Sequence, residues 1–253
     1  MNTPFDVYSQ QYPNIRMERS PEGVLLVTLH EEGGPFLITE RSHPDLSYAF
    51  EDIGADRDNK VVILTGAGEA FCTGARFADP AALTTPQGVA TLDWEARQLI
   101  TNYLNIEVPV VAAINGPVTL HSDIPLLADI VLAADTATFQ DGGHFTGGLV
   151  PGDGIYTVWS AVLGPSRAKY FLLTGQTLSA AEALQVGAVN EVVPRAALLD
   201  RAWEHANRLA QLPNLVRRYT RVIVTQRLKS QLQADMGYGL ALEGLALESL
   251  AAN

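Results

Sequence analysis

Short β-branched runs alternating with helix-period segments constrain this chain more than any other feature. Val61 to Thr65, Val111 to Ile114, Ile130 to Ala134 and Val189 to Val193 are apolar and bounded by turn residues, as buried strands are. Between them, His43 to Arg57 puts Leu46, Phe50 and Ile53 on one helical face with Pro44 near its start, and Val89 to Leu104 forms a second helical segment carrying Trp94, Leu99, Ile100 and Tyr103. Strands alternating with helices imply parallel pairing and an α/β fold. Ahead of them, Ile15 to Arg19 and Gly23 to His30 flank Ser20-Pro21-Glu22-Gly23 as a hairpin. With 253 residues, 47% of them hydrophobic, the chain can bury one sizeable core.

Residues 78 to 88 hold two prolines without periodicity and read as a mobile loop able to cover a pocket. Residues 155 to 163 and 166 to 173 read as short helices broken at Gly164-Pro165. Ser179 and Glu182 have capping-box spacing, and Gly187 closes that helix. From Arg195 onward two long helices remain, about 195 to 211 and 214 to 250, split by Pro213. Leu240, Leu242, Leu245, Leu247 and Leu250 spread around the second, more than one core contact needs, so a neighbouring subunit is an expected partner.

Chemistry concentrates in residues 111 to 154. Two buried strands feed loops there, which places His121, His144 and Asp153 at strand ends, where α/β folds collect ligands. Glycines 142, 143, 147 and 148 surround His144, and Asp153 lies in a Pro-Gly-Asp-Gly turn that can fold back to it. A carboxylate on one ring nitrogen fixes the tautomer and raises the basicity of the other, which makes a general base; the bland alternative is a satisfied core histidine. Glu243, amid leucines, is either a solvent-facing helix residue or a site residue. The turn Gly66 to Phe77 could offer backbone N–H groups to an oxyanion. His121, His144, Asp141 and Asp153 lack the paired spacing of common zinc motifs, so no metal is expected.

A net charge of −11 repels phosphate backbones and anionic membranes, so neither nucleic acid nor membrane is an expected partner and a small, weakly charged ligand is. No apolar stretch reaches the ~18 to 20 residues of a membrane span. One cysteine, Cys72, excludes an internal disulfide, and with no basic-then-apolar leader the expected location is cytoplasmic.

The segments VVILTGAGEAFCTGAR, EVPVVAAINGPV, ADIVLAADTATF, GLVPGDG and LGPSRAKYFLLTGQTLSAAEALQVGAVNEVVP, in that order, resemble the crotonase (enoyl-CoA hydratase/isomerase) superfamily over nearly the whole chain. The resemblance implies the crotonase spiral: repeated ββα units making two roughly perpendicular sheets, with a core at 1–195 and a C-terminal helical region at 196–253 used for oligomerisation and as pocket cover. It implies a homotrimer or a dimer of trimers.

Departures from the superfamily pattern point to a subgroup. Val118 to Asp123 replaces the usual glycine triplet after Ile114-Asn115-Gly116, His144 stands near the place of the hydratase glutamate, and Arg76 stands where an aspartate is common. Glu31 and Glu32 occupy the segment that helps CoA users hold the nucleotide, poor company for a polyphosphate. The pattern is most like that of 6-oxocamphor hydrolase and related β-diketone hydrolases, through His121, Thr138 to Gly142, His144-Phe145, Pro151 to Gly154 and Gly239 to Glu243. That group hydrolyses the C–C bond between two ketones without CoA or another cofactor. The resemblance assigns His144 and Asp153 as the base dyad, His121 and Glu243 as further catalytic residues, and Phe36, Ile38, Thr73, Phe77, Leu120 and Phe145 as substrate-binding residues, acting on a cyclic, bicyclic β-diketone. A CoA-dependent hydratase, hydrolase or decarboxylase is the alternative activity, and a non-catalytic binding protein is the alternative class.

Overall fold

The computed structural model describes residues 3–250. A short helix α1 (Phe5–Tyr8) precedes the expected hairpin, β1 (Ile15–Arg19) antiparallel to β2 (Val24–Leu29). Gly23 closes it at φ +88°, a left-handed value that a side chain resists. The chain continues through β3 (Phe36–Ile38), α2 (Ser42–Ala55), β4 (Val61–Gly66), β5 (Cys72–Ala75), α3 (Pro86–Asn105), β6 (Val110–Ile114) and β7 (Ile130–Ala134). It ends with β8 (Thr138–Phe139), α4 (Ile155–Leu163), α5 (Pro165–Thr174), β9 (Leu178–Ser179), α6 (Ala180–Gln185), β10 (Glu191–Val193), α7 (Leu198–Ala210) and α8 (Asn214–Leu250).

Six strands form the main sheet in the order β1-β2-β4-β6-β7-β10, with parallel pairing from β2 onward. Because strand side chains alternate faces, Val61, Ile63, Val111 and Ala113 point one way and Val62, Leu64, Ala112 and Ile114 the other, and both sets are buried. The first set packs beneath Leu198, Ala202 and Ala206 of α7; the second joins the larger core with Phe50 and Ile53 of α2 and Leu99 and Tyr103 of α3. A second sheet is built from the pairs β3–β5 and β8–β9, stitched through Val118, which bridges both Cys72 and Phe139. This is the mixed α/β architecture, with its two sheets, expected from the sequence.

One expectation needs correction. Residues 78 to 88 carry helical structure in place of the loop: Pro80–Thr84 is a 3₁₀ turn whose Asp79 carboxylate accepts from the Ala82 N–H, and α3 begins at Pro86, capped by the Thr85 hydroxyl. The prolines that broke the periodicity occupy helix N-terminal positions, where a missing N–H costs nothing. Within the C-terminal helical region, α7 covers a face of the main sheet.

Helix α8 is fastened at its start by Arg217, Arg218 and Arg221, each under 5% exposed. Arg221 pairs with Asp129 at 2.7 Å and donates to the Ile106 carbonyl, and Arg218 donates to the carbonyls of Arg57 and Asn59. No helix among the described residues is long and apolar enough to cross a membrane.

Candidate active site

A cavity of about 210 Å³ lies where α2, α3 and α8 close over the loops that follow β5, β6 and β8. Its wall is largely hydrocarbon: Ile38, Phe77, Leu83, Val89, Leu92, Leu120, Leu149, Leu240 and Leu247 line it. The polar residues at its surface are His43, His121, His144, Asp153 and Glu243, with Asp93, which is paired with Arg97 at 2.7 Å.

All three histidines turn Nδ1 toward a carboxylate. His43 Nδ1 lies 2.6 Å from Glu95 Oε2, His144 Nδ1 lies 2.8 Å from Asp141 Oδ1, and His121 Nδ1 lies 3.7 Å from Asp123 Oδ1. A proton on Nδ1 held this way leaves Nε2 as the nitrogen available for chemistry. On its other side His144 presents Nε2 to Asp153 Oδ2 at 3.5 Å, an ion-pair distance longer than a good hydrogen bond. The same Asp153 oxygen lies 3.8 Å from His121 Nδ1, and the rings of His43 and His121 stack with centroids 5.4 Å apart.

The charges follow from this packing. Burial disfavours an imidazolium at His144, but the charge of Asp153 and the bond to Asp141 outweigh it and hold the ring well above the ordinary histidine range. His121 is also raised, with burial overcome by Asp123 and Asp153. Burial pushes Asp153 up, yet His144, then His121 and the Ile155 N–H, hold it far below the usual carboxylate range. Glu243 goes the other way. Burial, reinforced by the neighbouring Asp153 charge, lifts its carboxyl to about 7, and Oε2 has no hydrogen-bond partner.

Local backbone sets each group. His43 enters on the first turn of α2, where the Ser42 hydroxyl donates to the Leu37 carbonyl at 2.7 Å. His121 has φ +48°, a left-handed conformation that costs of order 1 kcal/mol or more in a residue with a Cβ, and the Trp159 indole N–H pins the adjacent Ser122 at 3.0 Å. Asp153 precedes Gly154 at φ +109° and accepts from the Ile155 N–H at the start of α4 at 3.1 Å.

His121, His144, Asp153, Glu243, Ile38, Phe77 and Leu120 therefore meet at one cavity. Phe36, Thr73 and Phe145 do not line it. Phe36 faces the core at 1% exposure, Thr73 points outward from β5, and Phe145 is 53% exposed on the 3₁₀ turn after His144. His144 has a carboxylate at each ring nitrogen: Asp141, three positions away, at Nδ1, and the expected Asp153 at Nε2. The turn expected to supply oxyanion donors contains strand β5, and the N–H groups of Phe71 and Cys72 are bonded to the Pro117 carbonyl and that of Arg76 to the Ile38 carbonyl. Glu31 is compensated by Arg76 and Asn14, which weakens the repulsion expected there. His43 and Glu95 were not found from sequence. The available signal was a histidine opening a helix just after a strand, a strand-end position like those of the other two. No group of three or more His, Cys, Asp or Glu among the described residues is arranged to hold a metal ion.

Residues 19–242 match the enoyl-CoA hydratase/isomerase family. The chain is 42% identical to a β-diketone hydrolase from the cyanobacterium Anabaena sp. PCC 7120, solved bound to (S)-3-oxocyclohexyl acetic acid, over 99% of both chains with a TM-score of 0.94. An enoyl-CoA hydratase/isomerase from Mycobacterium paratuberculosis superposes with a TM-score of 0.85 at 26% identity, over 94% of this chain and 97% of that one. Among curated proteins, a probable peroxisomal enoyl-CoA hydratase from Arabidopsis thaliana is 29% identical, covering 90% of this chain and 83% of its own length. With its sheets, spiral connectivity and cavity in place, the chain belongs to the enoyl-CoA hydratase/isomerase family.

Proposed function

We propose that this protein hydrolyses the C–C bond between two carbonyls of a cyclic, bicyclic β-diketone, by a retro-Claisen reaction that needs no CoA. The observation that carries this reading is a small hydrocarbon-walled cavity with three histidines, an aspartate and a raised-pKa glutamate converging on it. About 210 Å³ is below the ~300–1,000 Å³ of typical ligand pockets and suits a compact ring compound. The likeness to the Anabaena enzyme supports it. The keto acid bound there is what water addition would give from a bicyclic diketone whose carbonyls flank a bridgehead.

In the mechanism, neutral His144, with Nδ1–H on Asp141, takes a proton at Nε2 from a water that attacks one carbonyl; such help is typically worth ~10²- to 10⁴-fold. The proton is then shared with Asp153, 3.5 Å away. Glu243, whose protonated form burial favours, donates a hydrogen bond to the attacked carbonyl oxygen as charge develops and keeps its proton. When the tetrahedral oxyanion collapses, the C–C bonding electrons pass into the second carbonyl as an enolate, which His121 stabilises by ~3 kcal/mol if it behaves like one oxyanion-hole donor. Protonation leaves a ring-opened keto acid.

The test is incubation with a bicyclic β-diketone in CoA-free buffer and mass measurement of the product. A gain of one water supports the reading. An unchanged diketone together with turnover of an enoyl-CoA returns the protein to the CoA-dependent activity of its curated relatives. We also propose a homotrimer or dimer of trimers, working in the cytoplasm. Leu215, Val216, Tyr219 and Ile223 of α8 are 54% exposed or more, an apolar row that a second copy would cover, and light scattering measures the mass.

A further inference from the structure

Asp123 is wholly buried, and neither carboxylate oxygen has a hydrogen-bond partner. An unpaired buried charge is among the costliest things a fold can hold. The ion pair drawn by Asp123 is with His121, whose Nδ1 is 3.7 Å from Oδ1 and is itself buried without a hydrogen bond. The other two cavity histidines each have a carboxylate at Nδ1 within 2.8 Å. His121 has two candidates at nearly equal distance, Asp123 at 3.7 Å and Asp153 at 3.8 Å. Asp153 is already engaged by His144 and the Ile155 N–H, whereas Asp123 has nothing else to hold.

We infer that Asp123 is the positioning residue for His121: it holds the Nδ1 proton of that ring, keeps the ring charged, and aims Nε2–H at the carbonyl that becomes the enolate. This rests on the diketone reading for its role in turnover, though not for the pairing itself. As the C–C bond breaks, its electron pair becomes the enolate π system, and the Nε2 proton of His121 passes to the enolate oxygen. The ring is left neutral with Nδ1–H still against Asp123. The proton that His144 took from the attacking water restores the imidazolium, and the enol tautomerises to the ketone, so the balance is one water consumed. By keeping His121 on its own carboxylate, Asp123 leaves Asp153 free for His144.

The groups that face His121 are Asp123 on its own segment, His144 from the glycine-rich turn, Asp153 ahead of α4, His43 on α2 and Glu243 on α8. The deciding experiment follows each histidine ring by ¹⁵N NMR across pH in the ligand-free protein, with kinetics on the diketone alongside. In the unsubstituted protein and in Asp153→Asn, His121 should stay protonated above its ordinary 6.5. In Asp123→Asn its proton affinity should fall at least about tenfold, with kcat down roughly 10²-fold and KM nearly unchanged. A His121 titration that Asp123→Asn does not move, or one that falls to the ordinary value in Asp153→Asn, overturns the inference. If Asp123→Asn does not fold, the Asp153→Asn titration still decides. If the unsubstituted protein leaves the diketone untouched, the proposed reaction fails while the ring titration still judges the pairing.

Discussion

Gly152 and Gly239 meet backbone to backbone, so closely that a methyl group on either would overlap the carbonyl oxygen of the other. The contact lets α8 cross the turn that carries Asp153 and delivers Glu243, one helical turn further on, into the same cavity. Alanine at position 239 should gain about 1 kcal/mol of helix propensity over glycine, but the obstacle is backbone that cannot rotate away, and overpacking of this kind costs roughly 1–3 kcal/mol. Gly239→Ala is therefore expected to lower the melting temperature and kcat together. A raised melting temperature would mean that the two segments are not in tight contact.

His144 as base sets a sign for the pH dependence. A base must be neutral to accept a proton, and this ring is held well above the ordinary histidine range, so kcat/KM should fall on the acid side through an apparent pKa above 6.5. Asp141→Asn keeps an oxygen to accept Nδ1–H while removing a charge, which should move that acid limb to lower pH with the ring still in place. His144→Ala should nearly abolish turnover with the circular dichroism spectrum intact. Activity that instead rises as pH falls through the limb would assign the imidazolium, not the imidazole, as the working form.

Elements and spacing carried much of this into view at the level of sequence, and the shortfalls share one cause. The hairpin, the parallel strands and the capping box of Ser179 and Glu182 depend on local chemistry, and all are present. Asp141 and Asp153 both lie within loop reach of His144, and only the fold shows that both meet the ring, one at each nitrogen. His43 was invisible as a site residue because it approaches from a helix nearly eighty positions before His121, and its relation to that ring is wholly tertiary. Phe36 and Ile38, two apart on β3, would share a face in a regular strand, but a bulge at Phe36/Leu37 that no pattern announced lies between them, and Ile38 lines the cavity while Phe36 does not.

Glu243 links the site to stability. Its folded carboxyl titrates at about 7 against an ordinary 4.5, so the folded state holds the proton more tightly. The stability this contributes is complete below about 4.5 and is lost as pH rises to about 7. At about 1.4 kcal/mol per unit, the loss is on the order of 3–4 kcal/mol. Glu243→Gln cannot ionise, so urea unfolding should find it more stable than the parent at pH 8 and nearly equal at pH 4. Equal stabilities at both pH values would show Glu243 to be solvated, and unaltered kcat and KM would return it to the helix surface.

The anchor of α8 can be tested apart from the chemistry. Arg221 is 2% exposed and Asp129 keeps only the Val110 N–H as a second partner, at 2.7 Å. Replacing Arg221 by Met leaves a desolvated carboxylate facing hydrocarbon, and breaking a buried pair from one side typically costs ~3–5 kcal/mol. Removing both charges, with Arg221→Met and Asp129→Leu together, should recover most of that loss, because the penalty lies in the unpaired charge and not in the absence of attraction. The double-mutant cycle, read by urea denaturation, is expected to show strong coupling between the two positions. Since neither residue lines the cavity, the folded double variant should turn over diketone at close to the parental rate; additive losses from the two single changes would mean that the pair holds α8 by packing alone.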